Sequence, residues 1–193
     1  MKKVLGISGS PRRGGNTEIL LDEALEGSRS RGAKIEKIVL NDLRFKPCQE
    51  CGGCDKTGKC IIEDDLEMVY EKVEEADCLI IASPIFFGSL SAQLKMMIDR
   101  FQCTWVKKYI LKKRWGISGK AKRRGVFLCV SAAKKNEFFE NADRIMKIFF
   151  RTLDIDYFGH IFYGGAEKKA AIQESEDVLK KAFELGAKLV SGH

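Results

Sequence analysis

Histidine and proline are scarce in this sequence, two and three residues among 193. With so few prolines and no long polar stretch, nothing reads as a linker or low-complexity tail, and no internal repeat stands out. The two histidines, His160 and His193, lie far from the cysteine-rich stretch, which removes the usual nitrogen ligand of a mixed zinc site. Long apolar runs are missing too. "CLIIA" at 78–82 and "VFLCV" at 126–130 fall far below the roughly 20 residues that a membrane helix needs. The run "VLGI" after Lys3 is too short for a signal-peptide core, so the expectation is a cytoplasmic protein with no membrane partner and reduced thiols.

What is present is cysteine, seven residues, an odd number that favours metal or redox chemistry over structural disulfides in such a compartment. The chain is 45% hydrophobic and 32% charged, the balance of a soluble globular protein, and its length suits one domain, residues 1–193. A net charge of +7 allows a nucleic acid, an acidic protein, or plain solvation as its explanation.

Along the chain, short apolar runs alternate with amphipathic ones. "KKVLGIS" at 2–8 predicts a strand, followed by the turn-rich "GSPRRGGNT" and a helix in "TEILLDEALEGSRSRG". "KIEKIVL" at 34–40 alternates as a strand does, and "LEMVYEKVEEA" predicts a helix. "DCLIIAS" at 77–83 and "RGVFLCVSA" at 124–132 are continuous apolar runs, as in parallel strands buried on both faces. Helices are expected from Leu94 to about Phe101, over "EFFENADRIMKIFFRTL", and from residue 171 over "AIQESEDVLKKAFELGAKLV", with "DIDYFGHIFYG" as the last strand. Strict alternation requires right-handed crossovers and a parallel sheet with helices on both faces. The fold class is therefore α/β: a flavodoxin-like, five-stranded, doubly wound parallel sheet of order 2-1-3-4-5, with a cysteine-rich loop (47–62) after the second strand. In such sheets ligands bind beyond the carboxyl ends of the strands, where strand order reverses, which selects the loops at 8–17 and 83–91.

The first loop, "SGSPRRGGNT", offers glycine-freed N–H groups, the hydroxyls of Ser8, Ser10 and Thr17, the Asn16 amide and a helix amino end: the parts of an anion cradle. It is neither a Walker loop nor a GxGxxG turn. The second, "SPIFFGSLSAQLKMMIDRF", leaves a strand end with adjacent aromatics at the expected switch point.

"GSPRRGGNT" and "SPIFFGSLSAQLKMMIDR" together resemble the phosphate loop and the isoalloxazine loop of the NADPH-dependent FMN reductase and flavodoxin-like superfamily. The cysteine run between them narrows the resemblance to the iron-sulfur flavoproteins. That resemblance implies FMN, its phosphate on Ser8, Ser10, Arg12, Asn16 and Thr17 and its ring against Pro84, Ile85, Phe86, Phe87 and Gly88. Ser131 and Ala132, at the end of the fourth strand, fall near the ring by topology, although "SAAKKNEFF" departs from the Gly-rich form common there.

Cys48-x2-Cys51-x2-Cys54-x5-Cys60 has the compact x2 spacing that lets one segment wrap several corners of a [4Fe-4S] cluster. A four-cysteine zinc site is the rival, although it usually uses two CxxC arms with a longer excursion between them. Gly52, Gly53 and Gly58 permit the tight backbone a cluster demands and argue against loose thiols. Cys78, Cys103 and Cys129 read as small core hydrophobes.

With cluster and flavin both expected at the carboxyl edge of the sheet, the reading is an FMN-dependent oxidoreductase with no catalytic acid, base or nucleophile of its own. The resemblance implies electrons passing from a ferredoxin-type donor through the cluster to FMN and on to oxygen, peroxide or a quinone-like acceptor, within a homo-oligomer, dimer or tetramer. The alternative is an NAD(P)H-dependent FMN or quinone reductase stapled by zinc. Residues 103–124 carry nine Lys or Arg and no acid, read as a dock for an acidic ferredoxin; with no nucleic-acid motif beside it, a nucleic-acid module is the disfavoured reading.

Overall fold

The computed structural model describes residues 1–113 and 123–191. Strands β1 (Lys3–Ser8), β2 (Lys34–Val39), β3 (Cys78–Phe86), β4 (Ser89–Leu90), β5 (Arg123–Ser131) and β6 (Ile155–Gly164) form a sheet of order β2-β1-β3-β5-β6, with β4 paired only to β3. The five long strands are parallel, so the expected 2-1-3-4-5 arrangement is present. The sixth strand is an addition. β3 runs past Pro84 to Phe86 and folds back as an antiparallel hairpin, pairing Ile85 with Leu90 and Phe86 with Ser89. Its two turn residues, Phe87 and Gly88, both have positive φ, 50° and 70°, the backbone of a two-residue primed turn.

Helices α1 (Asn16–Arg29), α2 (Leu66–Glu75), α3 (Ala92–Arg100), α4 (Gln102–Trp105), α5 (Asn136–Thr152) and α6 (Glu176–Val190) cover both faces. Strand periodicity decides which helix meets which side chain. Leu5, Ile7, Leu79, Ile81, Phe127 and Cys129 face α2, α3 and α5, where Leu66, Val69, Leu94, Met97, Met146 and Phe149 complete one core. Val4, Ile80, Ala82, Val126, Leu128 and Val130 turn to the other face and pack with Leu20, Leu21, Ala24, Ala182 and Leu189 of α1 and α6. Those two helices cross at backbone distance. A Cβ on Gly27 would sit 1.9 Å from the Phe183 carbonyl oxygen, so only glycine fits there.

Helix α6 starts at Glu176, after a separate 3-10 turn at Ala171–Glu174, and not at residue 171 as the periodicity suggests. The reason is long-range. The Asn16 side chain donates to the carbonyls of Ala166 and Lys168 and accepts from the Ile172 N–H, holding 166–172 against the start of α1.

Candidate functional site

Both loops expected at the switch point are there. β1 ends at Ser8, and the next N–H, of Gly9, donates to the Ala82 carbonyl at 2.8 Å, tying the first loop to β3. Ser10 Oγ accepts from the Arg12 N–H at 3.1 Å. Gly14, with φ of 62°, donates its N–H to Glu18 Oε2 at 2.7 Å. Burial alone would raise the Glu18 carboxyl, but this N–H together with Lys37 and Arg13 holds it below its ordinary value. The turn so formed delivers Gly15 as the residue before α1. The first N–H groups of a helix have no partner within it, which leaves this end open to an anion.

A cavity of about 230 Å³ joins this loop to the other strand ends. Ser10, Arg12, Asn16 and Thr17 line one side; Pro84, Ile85 and Phe86 line another; Ser131 and Ala132 close a third. Ser8 is buried beneath the loop, its Oγ 3.4 Å from the Ser10 N–H. Phe87 stands fully exposed at the hairpin tip, and Gly88 is held from behind, its carbonyl accepting from Asn141 at 2.9 Å. Three contributors escaped sequence reading. Ala166 and Glu167 complete the lining from the connection after β6, and Lys169 reaches over Gly14. No local period marks them; they are present because Asn16 holds their loop.

Ser91 was missed as well. Wholly buried at the start of α3, it donates to the Gly9 carbonyl at 2.6 Å, accepts from the Leu94 N–H at 3.3 Å, and its own N–H donates to Ser83 Oγ at 3.1 Å. One residue thus joins the first loop, β3 and α3.

The four clustered cysteines lie elsewhere. Cys48, Cys51, Cys54 and Cys60 all line one cavity of about 320 Å³, together with Arg100, Gln102 and Cys103. Among the described residues no three Cys, His, Asp or Glu side chains converge tightly enough to hold a single metal ion. Burial raises the Cys54 thiol, with Asp55 and the neighbouring Cys60 and Cys48 adding to it. Cys103, expected to be a plain core residue, is buried yet lines the same cavity; burial and the nearby Cys60 push its thiol up to about 11. Cys78 and Cys129 are core residues of β3 and β5 as expected.

The cysteine loop and the first switch-point loop leave the sheet from the carboxyl ends of neighbouring strands, β2 and β1. The cysteine loop is fastened to the far end of α3, at Arg100, whereas α3 begins at the switch point with Ser91. The two cavities share no lining residue.

Within the basic stretch, Arg124 stacks on Phe158, Lys108 bonds Asp154 at 2.6 Å, and Arg123 is buried against the carbonyls of Ala76 and Val73. These cations serve the fold. Lys112 and Lys113 are exposed, while 114–122 lie outside the described residues.

Residues 2–153 match the family model of the NADPH-dependent FMN reductases. The chain belongs to this family, and so to a family of FMN-dependent oxidoreductases. An iron-sulfur flavoprotein of Archaeoglobus fulgidus is 30% identical over 97% of this chain and 78% of its own length. One of Methanocaldococcus jannaschii is 49% identical over 51% of each chain, so the match spans about half the length of that relative. Among solved structures, an NAD(P)H:quinone oxidoreductase of Methanothermobacter marburgensis superposes with a TM-score of 0.72 at 20% identity, covering 99% of this chain and 97% of its own, a likeness of fold. Among the described residues no helix is long and apolar enough to cross a membrane.

Proposed function

We infer that this chain binds FMN in the switch-point cavity and a [4Fe-4S] cluster in the four-cysteine cavity, and passes electrons from a ferredoxin-type donor to a two-electron acceptor such as oxygen, peroxide or a quinone. The observation that carries this is the pairing of four thiols around one cavity with an anion cradle and an apolar wall around another. FMN supplies one- and two-electron chemistry, and a cluster supplies single electrons.

The chain's own residues bind and position. The free N–H groups opening α1, with Ser10, Thr17 and Arg12, would hold the phosphate, while the Asn16 side chain serves the 166–172 loop and leaves its backbone N–H for the anion. Pro84, Ile85 and Phe86 would hold the ring from the strand side. Phe87 is kept in a backbone conformation that bulky residues rarely adopt, which supports a role at the ring for its exposed side chain. Four cysteines lining one cavity at compact x2 spacing suit a multi-iron cluster better than zinc, which usually takes two CxxC arms with a longer excursion between them. The resemblance to the iron-sulfur flavoproteins favours a homo-oligomer in which the cysteine loop of one copy approaches the flavin of another.

The test is anaerobic purification, with the flavin released by heat and identified by mass and with iron, sulfide and zinc measured. FMN with about four irons per chain supports the reading. FAD, or stoichiometric zinc without iron, overturns it. The family description favours a second reading, reduction by NADPH; rapid bleaching of the flavin by NADPH with none by ferredoxin would establish that instead.

A further inference from the structure

The Arg100 side chain is wholly buried at the end of α3. A guanidinium has five N–H donors in a rigid fork. Nη1 donates to the Lys46 carbonyl at 2.8 Å and to Asp64 Oδ2 at 2.6 Å; Nη2 donates to the Ile62 carbonyl and to Asp64 Oδ1, both at 3.2 Å. Lys46 and Ile62 flank the cysteine segment, so one side chain clasps both of its ends. The Tyr70 hydroxyl and the Cys103 thiol in turn donate to the Arg100 carbonyl, fixing its backbone. The remaining donor, Nε–H, is buried with no partner.

A clasp alone would not call for this residue. Burying a cation is costly unless it is well paired, and an unsatisfied buried donor costs about 1–3 kcal/mol more. Arg100 lines the cavity shared by the four cysteines, and Cys60 lies within electrostatic reach of it. A cation lining a cavity shared by four thiols suits an occupant that carries negative charge.

We propose that Arg100 is the positioning residue of the four-cysteine site: it holds both ends of the loop in place before iron arrives, and its charge favours the more reduced state of what the cysteines hold. This rests on the iron-sulfur reading above. Cluster potentials respond to nearby charge and to hydrogen bonds on sulfur. Arg100 and Asp64 therefore act in opposite directions on the same potential, although losing either loosens the same clasp.

The test compares wild type with Arg100→Lys, Arg100→Gln and Asp64→Asn, each reconstituted with iron and sulfide and titrated to its cluster midpoint potential. FMN content reports whether the fold survives, since the flavin cavity is separate. Expected are several-fold slower loading in all three variants, a more negative potential in Arg100→Gln, a more positive one in Asp64→Asn, and one close to wild type in Arg100→Lys, which keeps charge without the fork. If Arg100→Gln fails to fold, the charge effect is read from Asp64→Asn, which should have a more positive potential than wild type and Arg100→Lys, those two being alike. Wild-type loading and potential in the variants, or shifts of one sign in both charge variants, overturn the proposal alone. Wild-type protein that takes up no iron overturns the iron-sulfur reading and this proposal with it.

Discussion

Replacing Ser91 by alanine should damage the fold and the proposed flavin site together, because Ser91 ties the first loop to α3. Its hydroxyl caps α3 by accepting the Leu94 N–H, and loss of such a cap costs about 1 kcal/mol. The same hydroxyl is a hydrogen-bond donor to the buried Gly9 carbonyl, and leaving that oxygen without it adds about 1–3 kcal/mol. The expected total is about 2–4 kcal/mol. Urea unfolding should show a lower midpoint at an unchanged slope, since the surface exposed on unfolding is the same. FMN should bind more weakly as well, because Gly9 begins the phosphate loop and Ser91 follows the ring hairpin. A loss below about 0.5 kcal/mol with unaltered FMN affinity would refute the reasoning, showing that the two loops keep their places without this tie.

Stability should also fall in acid for an identifiable reason. Glu18 and Asp64 are both held below their ordinary values, 4.5 and 3.8, by Gly14 with Lys37 and by Arg100 with backbone N–H groups, against the opposing pull of burial. A depressed carboxyl contributes stability fully above its unfolded value and loses it as pH drops toward the folded one. Denaturation midpoints should therefore hold near neutrality and decline as the pH falls below about 4.5, with Asp64→Asn flattening the decline; an identical acid profile in that variant would contradict the assignment. For the donor, Lys112 and Lys113 are exposed in the described part of the basic stretch. Their replacement by alanine should slow reduction by ferredoxin and reduce its sensitivity to salt, leaving reduction by dithionite unchanged. A ferredoxin rate and salt slope equal to wild type would remove these lysines from the docking surface.

Much of the fold was legible because its causes are local. Apolar runs such as "CLIIA" name strands buried on both sides, and helix-length connections force the parallel order whatever the packing details. The meeting of the two switch-point loops at one cavity followed from topology, since strand order reverses between β1 and β3. What escaped was decided between distant residues. The Phe87–Gly88 turn looks like ordinary loop until its two positive φ values fold β4 back on β3. Asn16 reaches 152 positions along the chain to Lys168, and Arg100 reaches back 54 to Lys46. Neither partner carries a motif. The cysteine loop is similar: its spacing is local, but the clasp that fastens it to the end of α3 is not.

The central claim is that each chain holds two redox centres, and an anaerobic reductive titration counts them. One [4Fe-4S] cluster and one FMN should take up about three electrons per chain, falling to about two in Cys51→Ala, which loses a thiol lining the cysteine cavity and leaves the lining of the switch-point cavity intact. An uptake of about two electrons in wild-type protein, unchanged in the variant, would mean that the four cysteines hold no redox centre and would contradict the account.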